Sequence, residues 1–398
     1  MQHEHWKRNL AVCMIGSFTT IIGMTVVLPF LPLYVAQLGV QGHAEIVQWS
    51  GIAFGATFLS AALVAPLWGR LADQYGRKLM LIRASLGMTV ATALIGMAQD
   101  AWQLVVLRLL TGLLGGYASG SIALVAAQTP KERSGWALGM LSSTIMAGNL
   151  AGPLLGGGLP ALIGIRNTFF ASAALIGLAF IGTSVLIRED HHPRKLADRK
   201  EVSAAKLSSA QKRAVIAMLA TGVLLMFANM SIEPIITVYV AELSNDQGSV
   251  TMMAGIVMSA TALGAILSAA FLGRVADRAG HPRLIVSCLA LASALLLPQA
   301  FVHETWQLVV LRFLMGLSLG GLLPCVASVI RHSVPERAVG QFLGYSTSAQ
   351  YAGQVLGPVL GGLVGGRIGM GAVFIGSALL MGLGAVFNYQ TFLKRRPA

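Results

Sequence analysis

An arginine set inside an apolar run, and then set there a second time, limits this chain more than any other feature. Trp102–Gly112 reads WQLVVLRLLTG, and Trp306–Gly316, 204 residues on, reads WQLVVLRFLMG. Arg108 therefore pairs with Arg312. Other segments answer one another at nearly the same offset. Gly69–Gly76 (GRLADQYG) returns as Gly273–Gly280 (GRVADRAG), and Gly148–Gly157 (GNLAGPLLGG) returns as Gly353–Gly362 (GQVLGPVLGG). Pro29 and Tyr34 return as Pro234 and Tyr239. The order is the same in both halves, so the chain reads as one unit duplicated along its whole length. A charge inside a membrane-length apolar run is costly, and it persists where it has a function or a polar partner.

The apolar runs fill the chain. Of its 398 residues 55% are hydrophobic and 11% charged, against about 25% charged in a soluble domain. That leaves room for about twelve spans of ~20 residues and for no sizeable soluble domain. The expected architecture is all-α and polytopic. Residues 1–187 form an N-terminal bundle of six helices, 188–213 a linker, and 214–398 a second, pseudo-symmetric bundle of six. The first apolar run, Leu10–Leu33, lacks a small-residue cleavage pattern, so no removable leader is expected. Pro29 and Pro32 predict an irregular outer end to the first span.

The net charge of +13 invites a nucleic-acid reading, but its distribution argues against one. Of the 28 Lys and Arg, 24 fall in the termini, the linker and the even-numbered loops. The odd-numbered loops hold only Arg166 and Arg367. By the positive-inside rule both termini and the linker face the cytoplasm. The linker is the least apolar stretch, and from Leu196 onward it has the composition of an amphipathic surface helix. Cys13, Cys288 and Cys325 stand singly in apolar runs and read as packing residues, with neither disulfide nor metal spacing. There is no Walker lysine motif and no nucleophile–base arrangement, so the chain is expected to be neither an ATP-driven pump nor an enzyme, and to carry no cofactor.

Four groups of residues stand out. Asp73 and Asp277 lie in the loops after spans 2 and 8, each behind a Gly–Arg pair, with Gly69, Arg70, Arg77 and Lys78 around the first. An acid there suits a latch to basic residues and to the positive end of a neighbouring helix. Gly148, Gly152 and Pro153, repeated as Gly353, Gly357 and Pro358, allow close backbone approach with a bend. Glu233 is the one carboxylate well inside an expected span, beside Pro234. A carboxylate shut away from water can gain and lose a proton in a useful pH range, and one in an outer vestibule can equally pair with a cation; Glu233 is therefore the proton-coupling candidate, with Arg108 as its assistant or as an anion site. Aromatic, Met and amide side chains suit an adaptable cavity wall: Phe30, Tyr34, Phe58, Met146, Asn149, Met226, Asn229, Met230, Tyr345 and Gln350.

On GRLADQYGRK at Gly69–Lys78, the arginine string Leu104–Gly112 and the glycine string Gly148–Gly157, the chain resembles the major facilitator superfamily over essentially its whole length. WKRNL at Trp6–Leu10, PFLPLYV at Pro29–Val35, GRKLML at Gly76–Leu81 and SGWALG at Ser134–Gly139 are similar to its bacterial twelve-span multidrug-resistance proteins of the drug:proton antiporter 1 type. The resemblance implies two six-helix bundles in the bacterial cytoplasmic membrane, alternating access, a proton gradient as driver and export of amphipathic, often cationic drugs. Expected partners are such substrates, protons and membrane lipids, with the chain acting as a monomer. Many members of that type keep an acid in the first span, and this chain has none there. A transporter of one narrow substrate (sugar, metabolite, siderophore or lysolipid) and a non-transporting sensor or scaffold are the alternative readings.

Overall fold

The computed structural model describes residues 5–189, 207–244 and 246–394. Among these, eleven helical segments are long and apolar enough to cross a membrane. Spans 1 to 6 are Trp6–Gln37, His43–Tyr75, Arg77–Ile95, Ala101–Gln128, Lys131–Ile163 and Ile165–Leu186. Spans 7 to 10 are Ser209–Leu243, Val250–Ala279, His281–Gln299 and Thr305–Ser333, and Met370–Phe392 closes the set. Between the last two lies Val339–Arg367, a helix of 29 residues. It is span 11, less apolar because Gln341, Ser346, Ser348, Gln350 and Gln354 are spread along it. The expected surface helix from Leu196 lies outside the described residues.

Local chemistry explains where the helices begin and break. The repeated arginine string starts behind an acid and carries Gln at its second position. Asp100 accepts from the Gln103 backbone at 2.8 Å, and Gln103 Oε1 accepts from the Gln99 backbone at 3.0 Å. In the second copy Gln307 Oε1 accepts from the His303 and Glu304 backbones. These bonds satisfy N–H groups that a helix start leaves orphaned. Spans 1 and 7 break at 3-10 turns, Leu28–Phe30 and Glu233–Ile235, each with proline at its second residue. The predicted irregularity of span 1 is therefore present, and span 7 repeats it. Span 4 breaks at Gly115–Gly116, where Gly116 adopts φ 102°. The freed carbonyls are not left bare: Trp68 Nε1 donates to Leu113 O at 2.8 Å, and Arg83 donates to Leu114 O at 2.9 Å. The Arg83 guanidinium is stacked 3.6 Å from the centre of the Trp68 ring. Leu272 and Ser287 stand at the matching places in the second half.

The chain forms two compact units. The first comprises residues 1–41, 56–195 and 246–259, and the second 42–55, 196–245 and 260–398. In the first, Cys13, Leu81, Met88, Tyr117, Leu124, Leu141 and Ile176 pack into a core. Asn9 fastens its rim, donating to Gln128 and to the Arg188 carbonyl and accepting from the Arg188 backbone. In the second, Asn388 donates to Thr221 at 2.8 Å and Ser231 meets Ser377 at 3.1 Å. The duplication reaches single hydrogen bonds: the Tyr34 hydroxyl donates to the Ile95 carbonyl, and the Tyr239 hydroxyl to the Gln299 carbonyl. Leu63, Leu162, Val185, Leu379 and Leu383 are exposed, as side chains meeting lipid would be. Trp102 and Trp306, 69% and 65% exposed, hold matching positions at the starts of spans 4 and 10, where an interfacial aromatic is expected.

Candidate functional site

The break in span 7 sets the site. Its 3-10 turn begins with Glu233, and Asn229, one helical turn earlier, donates to Glu233 Oε1 at 3.5 Å. Arg312 from span 10 lies within electrostatic reach of that carboxylate. Its guanidinium sits 5.8 Å from the Phe374 ring centre on span 12, a cation–π distance. Arg312 is 1% exposed, and its Nε and Nη2 have no hydrogen-bond partner among the described residues. Within one unit an acid thus has an amide on its own span and a cation on span 10 within electrostatic reach, and that cation in turn faces an aromatic ring on span 12. The arrangement can hold a negative charge or release it by protonation without leaving a bare ion in hydrocarbon.

The basic neighbour of Glu233 is therefore Arg312, where the sequence favoured Arg108 as the assisting residue. Arg108 belongs to the first unit, where it is 4% exposed with Nε and Nη2 unpartnered among the described residues. The signal for Arg312 was present in the repeat, which assigns it to the same half as Glu233. The expected wall residues divide in two. Met226, Asn229, Met230 and Gln350 are half-buried on spans 7 and 11, and Gln350 donates to Ser346 at 3.4 Å. Gln354, not singled out in the sequence, reaches Met226 Sδ at 3.5 Å and extends this polar edge. Tyr345 is exposed and bonded to Gln341. Phe58 and Met146 are half-buried and Asn149 is exposed. Phe30 and Tyr34 have no exposed surface: both rings lie against Phe169, at 5.4 and 5.0 Å. They are core packing in this structure rather than cavity wall.

The loop after span 2 shows a carboxylate the sequence did not single out. Glu189, just beyond span 6, accepts from the backbone N–H groups of Arg77 at 3.1 Å and Lys78 at 2.6 Å. It caps the positive start of span 3. The Arg77 guanidinium donates to the Ala123 carbonyl at 2.6 Å. Asp73 is exposed near the end of span 2, as are Gly69 and Arg70, and Asp277 lies 4.0 Å from His281. The second glycine of each loop has a backbone reason: Gly76 and Gly280 adopt φ 94° and 92°, a region hostile to other L-residues. Lys394 stands where a second-half counterpart of Glu189 would.

The glycine strings are contact surfaces with two faces. Gly148, Gly152 and Gly156 lie against span 1, at Ile21, Thr25 and the Val26 carbonyl. Gly353, Gly357 and Gly361 lie against span 7, at Val223, Phe227 and Ser231. The neighbouring Gly157 and Gly362 point elsewhere, to Thr251–Met252 and to Val47–Gly51. Adjacent glycines are needed because successive helix positions face about 100° apart. Pro153 and Pro358 sit within helices that continue past them.

Comparison with known proteins agrees with this architecture. The model of the Major Facilitator Superfamily matches residues 13–252 and 220–398. Multidrug resistance protein MdtG of Escherichia fergusonii is 39% identical over 392 residues, 98% of this chain and 96% of that protein. Multidrug resistance protein MdtG of Salmonella typhimurium is 40% identical over 394 residues, 99% and 98% of the two chains. Among solved structures, the human organic anion transporter MFSD10 aligns with TM-score 0.70 at 17% identity, covering 96% of this chain and 99% of that one. A point mutant of the nucleoside transporter NupG aligns with TM-score 0.73 at 14% identity, covering 96% and 100%. At those identities the two structures speak for the fold alone.

Proposed function

This chain belongs to the Major Facilitator Superfamily, and we propose that it exports amphipathic, often cationic drugs across the bacterial cytoplasmic membrane in exchange for protons, by alternating access. The observation that carries the reading is Glu233, a carboxylate inside span 7 with Asn229 and Arg312 beside it. The identity to multidrug resistance proteins over nearly the full length supports it. An ionised Glu233 attracts a cationic substrate, and a proton taken up from outside removes that attraction. Two ligands competing for one residue are coupled reciprocally, which is what exchange requires. Arg312 holds the ionised form in place between turnovers, and Met226, Met230, Gln350 and Gln354 form the substrate-facing edge.

In the same reading both termini lie in the cytoplasm, the chain works as a monomer among lipids, and Asp73 and Asp277 act as cytoplasmic latches in the transport cycle. The loop charge supports the orientation, and the repeated glycine–acid–glycine loops support the latches. The test of the whole is substrate-driven proton movement in proteoliposomes. Cationic dyes should drive protons through the protein in the direction opposite to their own, while sugars and lysolipids should not. Dye transport that persists unchanged without a proton gradient, and that moves no protons, overturns the proposal.

A further inference from the structure

The duplication supplies its own control for Arg108. The two arginines occupy the same place in the repeated string, sit equally far into spans 4 and 10, and are both buried with Nε and Nη2 unpartnered among the described residues. Each span also packs, one turn further on, against a threonine whose hydroxyl is unpartnered. Gly112, one turn beyond Arg108, lies against the Thr57 carbonyl, and Gly316 lies likewise against that of Thr261. The hydroxyls of Thr57 and Thr261 are both buried and without a partner among the described residues. The difference is the acid. Glu233 opens the 3-10 turn of span 7 and lies within electrostatic reach of Arg312, although no salt bridge joins the two side chains among the described residues. The residue opening the matching turn of span 1 is Leu28, which is buried and carries no charge. The first unit's described acids are Asp73, Asp100, Glu132, Glu189 and Asp246, all at helix ends or in loops. A buried guanidinium with no counterion is strongly disfavoured, and one with free N–H groups is a ready receptor for an oxyanion or halide.

We propose that Arg108, with the Thr57 hydroxyl, binds a monovalent anion from outside the chain, in the role Glu233 fills for Arg312. The shared chemistry is a single negative charge that accepts several hydrogen bonds. Its source is either chloride or the carboxylate of an amphipathic substrate. The second source rests on the transport reading, and the first does not.

Equilibrium binding to purified full-length protein in nanodiscs, with no gradient, separates the sources. One arm titrates radiolabelled chloride, the other radiolabelled benzoate. Wild-type protein should bind one anion per chain saturably in at least one arm, and the arm that saturates names the source. Arg108→Gln should weaken that binding at least tenfold. Leu28→Glu keeps the arginine and installs an internal carboxylate, and it should weaken binding to the same degree. It stands as the test if the arginine variant does not fold. No saturable binding in either arm, or binding unchanged in whichever variant folds, overturns the proposal. Because no transport is measured, either result leaves the question of drug–proton exchange to its own assay.

Discussion

At the scale of single residues, the chain places few charges in its spans and gives each a distinct setting. Glu233 has an amide and a cation beside it, so it is the residue at which pH should be felt. As pH falls, protonation removes its charge and a cationic dye loses an attraction. Dye affinity in wild-type protein should weaken by about tenfold, ~1.4 kcal/mol, on acidification. In Glu233→Gln it should be low and flat with pH, as measured by fluorescence titration. Retention of the wild-type slope in that variant would move the proton site elsewhere. Glu189 has a structural role that thermal unfolding can read. Its two bonds to backbone N–H groups are charge-assisted, and its partial exposure discounts them to about 1 kcal/mol. Glu189→Gln should lower the unfolding midpoint, whereas Lys394→Ala, at the matching place, should leave it unchanged. Glu233 was legible in the sequence because a lone acid in an apolar run is conspicuous. Its nearness to Arg312 was only half legible: the repeat puts both in one half, but the string around Arg312 nearly matches that around Arg108, and only the fold brings Arg312 within electrostatic reach of the acid. Glu189 was hidden for a different reason: beside the basic linker it reads as one more loop charge.

At the scale of elements, the glycine strings and the acidic loops make separable predictions. Gly156 faces the Val26 carbonyl, whereas Gly158 has only Met252 Sδ near it, at 3.9 Å. Gly156→Ala should destabilise by about 1–3 kcal/mol through overpacking. Gly158→Ala should be neutral or slightly stabilising, since alanine favours helix by up to about 1 kcal/mol. Comparable losses in thermal stability for the two variants would refute the assignment of faces. Asp73 is exposed and outside the substrate-facing edge, so Asp73→Asn should slow transport several-fold while leaving equilibrium dye affinity unchanged. An equal fall in affinity would place Asp73 in the binding site instead. The kinks at Pro29 and Pro234 were visible beforehand, because proline removes a helix bond wherever it falls. The break at Gly115–Gly116 was not. A glycine pair in an apolar span also reads as close packing, and only Trp68 and Arg83, from other spans, reveal the opened carbonyls.

At the scale of the whole molecule, the matched offset conveyed the duplication and the fold class, because a repeat states directly which segments share a structure. Span 11 is the weakest as a membrane segment by composition, and its place follows from the repeat with span 5 rather than from hydropathy. Orientation can be tested simply, since Cys13, Cys288 and Cys325 are all buried. A single cysteine at Glu45 should react with an impermeant maleimide in intact cells, and one at Ser208 only after permeabilisation. The reverse pattern would invert the topology.

The glycine seams carry one more consequence, an entropic one. Along spans 5 and 11 the glycine side of each contact is bare backbone, set against carbonyl oxygens and the inner atoms of side chains such as Ile21 and Thr25. Ordering a long side chain costs up to about 2 kcal/mol of rotamer freedom, and ordering glycine costs none of that kind. A seam built this way can part and re-form without freezing or freeing rotamers along the glycine edge. Its closure is then governed by backbone fit and lipid, so the balance between open and closed seams should shift little on warming.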